Sequence, residues 1–464
     1  MKMTFENLGP LAKGELKLAD LTILCGQNNS GKTYVTYVLY CLLKSWVNLC
    51  KIDLSDELAT LNLKGVAEID IDQKIIRSWS EISKQVLADL AVKLPEMMAM
   101  QATTFADTRL NWEFVFGNKW RQNPFLHELR NGQANLLLTI IKPANSGMVE
   151  ITATDLGKDL SNGQGINAFI GNALLKMVLD EAMPDIFIAS SERTGAALFQ
   201  QDLRYATGEP SAIMTAANYV LNIEAFAQLF YHYRKAYAHP VLDNVRFANA
   251  LPGLDSEHGK LISAHPELLD AFSAIVGGQY VTNKEGATHF QPHKTKLQLG
   301  LGETSSAVRA LLIVWYWLKY QAEEGSMLMI DEPELNLHPD NQRYLARFLA
   351  RLVNLGVRVF ITTHSDTIVR EFNTLLMLSR NLPHFAQVRA SHGYQPEEQL
   401  QTDQVLLYVT GSAKPEGKGA KGKRTINTLI KVTPDPKLGL DVQTFDQTIL
   451  DMNQMQDELR YGGE

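Results

Sequence analysis

Cysteine is scarce in this sequence, and it has no long hydrophobic run. The 464-residue chain contains 3 cysteines, Cys25, Cys41 and Cys50, which are too few for a disulfide framework, so we expect buried thiols. The longest unbroken apolar run, residues 310–318, is about half of the ~20 residues that cross a bilayer. The sequence therefore excludes a disulfide scaffold and an integral membrane protein.

An export signal and a strong positive charge are also missing. The first residues, MKMTFENLGP, have no apolar stretch after a charged start, which favours a cytoplasmic protein. A net charge of -7 disfavours a protein coated with nucleic acid, although it leaves room for a local basic patch. Hydrophobic residues are 45% and charged residues 20%, which is typical of a globular protein of about three domain-sized units, or of one core with large insertions.

The hydrophobic pattern predicts a mixture of strands and helices. Short strands are predicted at 4–5 and 16–18. Continuous apolar segments predict buried strands of one sheet at 21–25, 186–189, 327–330 and 357–362. Helical patterns cover 33–47, parts of 54–100 and most of 206–272, the last without a sustained heptad. This order of elements predicts an α/β fold.

The segment LTILCGQNNSGKT runs from an apolar strand through a glycine-bounded loop into a helix. Gly26, Gly31, Lys32 and Thr33 fill the pattern G-x-x-x-x-G-K-[ST], which predicts a P-loop on the protein surface. The glycines let backbone N–H groups surround phosphates, the lysine reaches the β- and γ-phosphates, and the threonine hydroxyl ligates Mg²⁺. The other loop residues expected to bind the nucleotide are Asn28, Asn29 and Ser30.

Two adjacent carboxylates follow a later apolar strand in SMLMIDEPELNLHP. Asp331 is expected to hold Mg²⁺ and Glu332 to polarise the attacking water, because phosphoryl transfer needs positioning and charge neutralisation. The next strand, in VRVFITTHSD, delivers His364 to the position expected of a γ-phosphate sensor. The order of P-loop, acidic pair and histidine predicts an ATPase that uses ATP and Mg²⁺.

This ordered set of motifs resembles the ABC-type ATPases, in particular their OLD-, RecF- and SMC-like branch and the stand-alone "AAA family ATPase" proteins of bacterial defence loci. The resemblance implies an ABC-type P-loop ATPase head with a mixed sheet, a helical insertion and a small C-terminal cap. The expected segments are 1–200 and 281–385 for the two parts of the head, 201–280 for the insertion, and 386–464 for the strand-and-helix cap.

The resemblance also implies a head-to-tail dimer, with two ATP molecules held between one subunit's P-loop and the other's signature helix. The candidate signature is LGLGETSSAVRALLIVWYWLK, whose helix is expected to begin near Ser305, with Ser306 in the first turn facing a phosphate. The alternative is that Thr304 or Ser305 only caps the helix. His338 stands where transporters carry the D-loop aspartate, and we interpret it as a dimer contact.

The resemblance also implies a biological role for the protein, which is anti-phage defence. The ATPase would hydrolyse ATP slowly, sense infection and control a separate toxic effector, most simply a nuclease. Two alternatives stay open: a RecF-like DNA-binding repair ATPase, and an OLD-type nuclease, although no recognisable Toprim motif follows the last strand. A transporter ATPase would need the LSGGQ form, which is lacking.

Several further features carry weaker signals. Arg193, in FIASSERTG, either reaches a phosphate or the neighbouring subunit, or makes a structural salt bridge. The aromatic run 226–237 favours packing over base stacking, and the basic loop 411–424 favours a solvated hairpin loop over contact with nucleic acid. His289 and His293 have metal-ligand spacing, but a proline between them interrupts the helix that the spacing would need. The Q-loop glutamine is not assigned.

Overall fold

The structure is a computed structural model that describes residues 1–154, 164–180, 182–198, 237–251, 258–283, 287–380, 382–413, 425–434, 439–440, 452 and 454–459. The strands are β1 (Lys2–Leu8), β2 (Leu11–Lys17), β3 (Leu21–Gly26), β4 (Val66–Asp70), β5 (Arg109–Glu113), β6 (Phe125–Arg130), β7 (Leu136–Lys142), β8 (Met148–Ala153), β9 (Ile186–Ala189), β10 (Gly278–Thr282), β11 (Thr288–Pro292), β12 (Leu299–Gly300), β13 (Met327–Asp331), β14 (Arg358–Thr363), β15 (Val405–Ala413) and β16 (Ile426–Val432).

The α-helices follow in the same chain order. They are α1 (Lys32–Leu49), α2 (Ser55–Lys64), α3 (Trp79–Met97), α4 (Lys119–Gln122), α5 (Gln164–Leu179), α6 (Arg193–Leu198), α7 (His239–Ala250), α8 (Lys260–Ala264), α9 (Glu267–Val276), α10 (Ser306–Tyr320), α11 (Pro339–Asn354), α12 (Asp366–Leu378) and α13 (Pro383–His392). Among the described residues, no helix combines the length and the apolar character that a membrane crossing requires.

The largest sheet of the described chain has nine strands, in the order β5-β1-β2-β16-β15-β3-β14-β13-β9. From β15 to β9 neighbouring strands are parallel, whereas β1 pairs antiparallel with β2 and β5, and β15 pairs antiparallel with β16. Smaller antiparallel sheets have the orders β4-β8-β7-β6 and β10-β11-β12. The fold is therefore α/β with a mixed sheet, as the sequence predicts.

The central parallel strands are mostly apolar because helices cover both faces of the sheet. Every residue of β3 and of β13 is buried. Since successive side chains of a strand point to opposite faces, Leu24 joins the hydrophobic core that contains α1 and α3, while Ile23 and Cys25 join the core that contains α10, α11 and α12. The buried strands β3 and β13 end at Gly26 and Asp331, which is where the P-loop and the acidic pair begin.

The sequence predictions for the central strands are confirmed. β3, β9, β13 and β14 coincide with the predicted apolar segments within one residue at each end and lie in one sheet, and α1 covers the helix predicted after the P-loop. The cysteines Cys25, Cys41 and Cys50 are free and buried, and burial raises the pKa of all three thiols, so their thiolate forms are disfavoured.

Two regions differ from the pattern-based expectation. Within 54–100, which carries helical signals, the alternating sequence VAEID forms the strand β4 between α2 and α3. In the C-terminal segment, β15 lies inside the large sheet, next to β3, and β16 pairs with it as the predicted hairpin. The segment expected to form a cap therefore contributes to the sheet that carries the P-loop, and the domain boundaries stay predictions.

Candidate nucleotide-binding site

The P-loop connects the end of β3 with the start of α1. Positive φ angles occur at Gly26 (149°), Asn29 (60°) and Gly31 (103°), which curl the backbone tightly over a few residues. Gly31 is the N-cap of α1 and makes no side-chain cap hydrogen bond. The first N–H groups of α1 therefore have no side-chain acceptor and carry the partial positive charge of the helix N-terminus, which suits a phosphate.

Lys32 folds back over the loop that precedes it. Its Nζ donates hydrogen bonds to the carbonyl oxygens of Gly26 at 2.8 Å and Gln27 at 2.9 Å, and the residue is only 6% exposed. Burial lowers the pKa of this ammonium, while the carboxylates of Glu332 and Asp331 oppose the shift. The loop lies on the surface as predicted, with Asn28 and Asn29 exposed, but the Lys32 side chain is buried, because its flexible stem lets Nζ reach the loop carbonyls.

Asp331, the last residue of β13, is 3% exposed. Burial raises the pKa of its carboxyl to about 6, the charges of Glu332 and Glu192 add to the rise, and a hydrogen bond from the Thr362 hydroxyl and the charge of Arg193 oppose it. Such a carboxylate gains most from a cation placed beside it, because the cation offsets the cost of burying its charge.

Glu332 follows in a backbone conformation that residues other than glycine rarely adopt. Its φ is 52°, in the left-handed region. The neighbouring strand β14 holds the peptide, since the Glu332 N–H donates to both the carbonyl oxygen and the hydroxyl of Thr362, each at 3.1 Å. Strained backbone held by several contacts is common at catalytic positions, and here it turns the Glu332 carboxylate towards the P-loop cavity.

His364 lies between two carboxylates just beyond β14. Its Nδ1 is 3.3 Å from an oxygen of Glu332 and 3.3 Å from an oxygen of Glu334. Glu334 also accepts hydrogen bonds from the Thr363 hydroxyl and the His364 backbone N–H, both at 2.8 Å. The side chain of His364 is 47% exposed, so the ring is held on one side and open on the other.

Glu334 was not predicted as a functional residue. It is 6% exposed, and its second carboxylate oxygen has no hydrogen-bond partner among the described residues. A signal was present, because Glu334 is the second glutamate of the segment DEPE, which directly follows a buried strand. The segment contributes two side chains that contact His364, one exposed to the cavity and one beneath it.

The motif residues meet around a cavity of about 740 Å³. It is lined by Pro10, Asn28, Asn29, Ser30, Gly31, Lys32, Thr33, Tyr34, Glu332 and His364. The structure thus brings most of the predicted nucleotide-binding residues together with both predicted catalytic residues. Asp331 lies behind this surface, buried at the end of β13.

The candidate signature serines lie elsewhere in the chain. Ser305 is the N-cap of α10, and its hydroxyl accepts a hydrogen bond from the Val308 backbone N–H at 3.3 Å. Ser306 begins the helix and accepts a hydrogen bond from the Arg309 guanidinium at 3.2 Å. Neither serine lines the P-loop cavity of its own chain. Within one chain, therefore, neither serine is placed to contact a nucleotide in that cavity.

The deciding comparison is with models of known protein families. A model described as "AAA ATPase domain" matches residues 1–154 and 245–369, which is more than half of the chain and includes the P-loop, the acidic pair and His364. The chain belongs to this family of AAA ATPase domains. The motifs that surround the cavity are therefore part of the domain that defines the family.

Solved structures and curated proteins add little to this assignment. Three SMC heads are similar in structure: one bound to the C-winged helix domain of ScpA (9% identity, 93% of this chain and 97% of that chain, TM-score 0.34), one from Thermotoga maritima (9%, 93% and 98%, 0.30), and one from Pyrococcus furiosus with an extended coiled coil, bound to the C-terminal domain of ScpA (8%, 98% and 98%, 0.30). No curated protein matches the sequence.

Arg193 has a structural position in this AAA ATPase domain. The residue is fully buried, and its guanidinium donates to the carbonyl oxygens of Asp331 at 2.6 Å, Glu332 at 2.7 Å and Ala310 at 2.9 Å. It therefore contacts neither a phosphate site nor a partner surface, and its acceptors are carbonyls rather than a carboxylate. The guanidinium ties the acidic end of β13 to the helix α10, which begins at the signature serines.

Other sequence features of the AAA ATPase domain have simpler outcomes. His338 is the exposed N-cap of α11, and its Nδ1 accepts a hydrogen bond from the Asp340 backbone N–H. His289 is in the strand β11 and His293 follows it, so neither is on a helix. No group of three potential metal ligands occurs within the part of the chain that the structure describes. Most of the run 226–237 and of the loop 411–424 lies outside the described residues.

The raised pKa of Asp331 predicts a stabilising substitution in the AAA ATPase domain. Between pH 4 and 6 the folded protein keeps a proton that the unfolded chain releases, so this carboxyl makes stability fall as pH rises through that window. Asp331→Asn removes the effect, and we expect the nucleotide-free protein to gain up to about 3 kcal/mol of unfolding free energy at pH 7. Urea unfolding of both proteins between pH 4 and 7 measures the difference.

A matched control is Asp340→Asn, because Asp340 is an aspartate shortly after Asp331 in the sequence and its side chain is 70% exposed. This variant should leave the unfolding free energy unchanged within about 0.5 kcal/mol. If Asp331→Asn is no more stable than the unmodified protein at pH 7, burial does not raise the pKa of the Asp331 carboxyl.

Proposed function

We propose that this AAA ATPase domain binds ATP with Mg²⁺ and hydrolyses it slowly. The observation that carries the proposal is the single cavity in which the P-loop and Lys32 face Glu332 and His364. The residues present fit the ligand, since the open helix N-terminus and the lysine suit phosphates, and the buried Asp331 carboxyl gains from a nearby cation.

Each residue has a distinct proposed role. Lys32 exchanges its two carbonyl partners for the β- and γ-phosphates, and the Thr33 hydroxyl and Asp331 hold Mg²⁺. Glu332 polarises the attacking water, and His364 contacts the γ-phosphate. His364 Nδ1 lies 3.3 Å from a carboxylate oxygen of Glu332, which supports the proposal that these two side chains orient each other.

We further propose that the working unit is a head-to-tail homodimer. The structural support is the position of α10, whose first turn carries Ser305 and Ser306 but does not line its own chain's cavity. A second subunit would bring these serines to the γ-phosphate. Arg193 would then couple the two halves, because it connects α10 to the carbonyls of the acidic pair of the same chain.

A complementation experiment tests the dimer. Chains carrying Lys32→Ala are mixed with chains carrying Ser305→Trp and Ser306→Trp, so that each heterodimer has one complete composite site. We expect each variant alone to be inactive and the mixture to recover up to about a quarter of the wild-type ATPase rate, the share expected from random pairing with one intact site per heterodimer. The measurement is phosphate release from a mixture whose heterodimer content has been determined with two affinity tags.

Two results decide this experiment. Recovery in the verified heterodimer requires that the serines act across the interface. If the serine variants alone keep the wild-type ATPase rate, each subunit hydrolyses ATP alone; if the verified heterodimer stays inactive although the serine variants bind ATP and unfold at the wild-type temperature, the serines do not act across the interface.

In the cell, we propose that ATP-driven closure of the dimer senses infection and controls a separate toxic effector, a cytoplasmic nuclease, in anti-phage defence. This part rests on the resemblance to stand-alone ATPases of defence loci. The described part of the C-terminal tail supports a docking role, because Met452, Met455 and Leu459 are 55%, 61% and 81% exposed and their spacing places them on one face of a helix.

Co-purification tests the effector proposal. The tagged chain is purified from cells that express its neighbouring genes, with ATP and without it, and we expect a second protein to be retained in only one nucleotide state. The purified chain alone should not cleave DNA or RNA. Metal-dependent cleavage by the isolated chain that persists in Lys32→Ala and is lost in His289→Ala would contradict the proposal and favour a nuclease.

A further inference from the structure

The C-terminal hairpin places a buried hydroxyl directly beside the P-loop. β15 runs parallel to β3, and in this register Thr410 pairs with Gly26, the first residue of the P-loop motif. Thr410 is 5% exposed. The two residues are far apart in sequence, so the sequence pattern of the P-loop gives no indication of this neighbour.

Thr410 and the loop share a chain of hydrogen bonds. The Thr410 hydroxyl lies 2.5 Å from the Ser30 hydroxyl, and the Ser30 hydroxyl donates to the Gln27 carbonyl oxygen at 2.6 Å. Because a hydroxyl donates one proton, Thr410 donates to Ser30 in this chain, and the Cys25 carbonyl oxygen, 3.2 Å from the Thr410 hydroxyl, is an alternative acceptor. The network therefore connects a strand of the rigid sheet to both ends of the loop.

The same contact explains why residue 26 must be small. A Cβ built on Gly26 would lie 1.9 Å from the Thr410 hydroxyl oxygen, and the φ of Gly26 is 149°. The Gln27 carbonyl that Ser30 holds is also one of the two acceptors of Lys32 Nζ. Thr410 thus acts on the peptide that faces the lysine, without touching the lysine itself.

The sheet order separates Thr410 from the catalytic groups. β15 lies on one side of β3, whereas β14 and β13, which carry His364 and Glu332 at their ends, lie on the other side. A change at Thr410 should therefore alter how the loop holds phosphates and leave the hydrolytic step unchanged.

We propose that Thr410, from the C-terminal hairpin, is a positioning residue that holds the P-loop in its phosphate-binding conformation through Ser30. The proposal rests on the proposed binding of ATP. Removing the hydroxyl frees the Ser30 side chain and the Gln27 peptide, so the loop must be ordered when the nucleotide binds, and affinity falls.

The test compares Thr410→Val, which keeps the shape and removes the hydroxyl, with Thr410→Ser, which keeps the hydroxyl. We expect Thr410→Val to raise the Kd for Mg²⁺-ATP and the KM about tenfold, as for the loss of a buried hydrogen bond, with kcat at saturating ATP within about twofold of wild type. Thr410→Ser should restore affinity to within about twofold. Titration calorimetry and steady-state phosphate release give these values.

The matched control is Ser412→Ala on the same strand. The Ser412 hydroxyl is exposed and donates to Asn427 across the hairpin rather than to the loop, so ATP affinity should not change. Ser30→Ala removes the other hydroxyl of the pair, and we expect it to weaken ATP binding by a similar factor and to add little further loss when combined with Thr410→Val.

Each outcome decides the question. If the unmodified chain binds ATP and Thr410→Val binds it equally well, the positioning role is wrong while the proposed function stands. If the unmodified chain does not bind ATP, the proposed function fails and this inference fails with it. If Thr410→Val does not fold, Ser30→Ala carries the test, and unchanged ATP affinity in that variant overturns the inference.

Discussion

Replacing Lys32 with alanine is expected to weaken ATP binding about 1,000-fold, because the ammonium makes charge-assisted hydrogen bonds to two phosphates. Nζ is buried and donates hydrogen bonds to the carbonyl oxygens of Gly26 and Gln27. The lysine therefore exchanges partners within a preformed site and gives up little hydration on binding. Titration calorimetry with Mg²⁺-ATP measures the loss.

The fold should survive this substitution. Lys32 makes no contact with a carboxylate close enough to form an ion pair among the described residues, and its removal takes a buried charge out of the protein. We expect the thermal unfolding temperature to change by less than about 4 °C. The control is Lys44→Ala, since Lys44 is an exposed lysine on the same helix and should alter neither property. Tight ATP binding by Lys32→Ala would refute the P-loop assignment.

The central sheet could be predicted because its strands are continuous apolar runs. β3 and β13 are buried on both faces and are apolar apart from Thr22 and the terminal Asp331, and their ends are marked by Gly26 and by Asp331. The strands between residues 109 and 153 were not predicted. β5 and β6 are short and mostly exposed, so neither contains a long apolar run, and the alternation of β5, RLNWE, covers only 5 residues.

The residues of the candidate site also fall into those that the sequence predicts and those that it does not. Residues of the P-loop and the acidic pair follow from local patterns, because each motif is contiguous and lies at the end of a strand. Thr410 and Arg193 do not, since their partners lie 380 residues away in one case and 138 in the other. Such contacts depend on strand order, and a single sequence does not reveal which distant strand lies beside β3.

The conformation of Lys32 was beyond the sequence for a related reason. Its motif indicates which ligand the side chain serves but not which groups of the protein the side chain contacts. The carbonyls of Gly26 and Gln27 become acceptors only because positive φ angles turn the loop back on itself. The burial of the Lys32 side chain in an exposed loop thus depends on backbone geometry, which the motif does not indicate.

Replacing Glu332 with glutamine is expected to lower the rate of ATP hydrolysis about 1,000-fold while ATP affinity changes less than about twofold, because the carboxylate acts on the attacking water in the transition state. Glutamine has nearly the same shape and leaves the backbone contacts of the Glu332 peptide to Thr362 in place. Single-turnover phosphate release and calorimetry separate the two effects. ATP-bound dimers should then accumulate, which size-exclusion chromatography with light scattering detects.

Glu334→Gln is the informative comparison, because both carboxylates lie 3.3 Å from His364 Nδ1 but Glu334 is buried and does not line the cavity. Glutamine removes the negative charge beside His364, but its amide oxygen can still accept the hydrogen bond from the His364 backbone N–H. We therefore expect a smaller loss of turnover, about tenfold. If Glu332→Gln keeps normal turnover and Glu334→Gln abolishes it, the water-polarising role belongs to Glu334. If the loss is about 1,000-fold in Glu332→Gln and only about tenfold in Glu334→Gln, the carboxylate that faces the cavity acts on the water and the buried one orients His364.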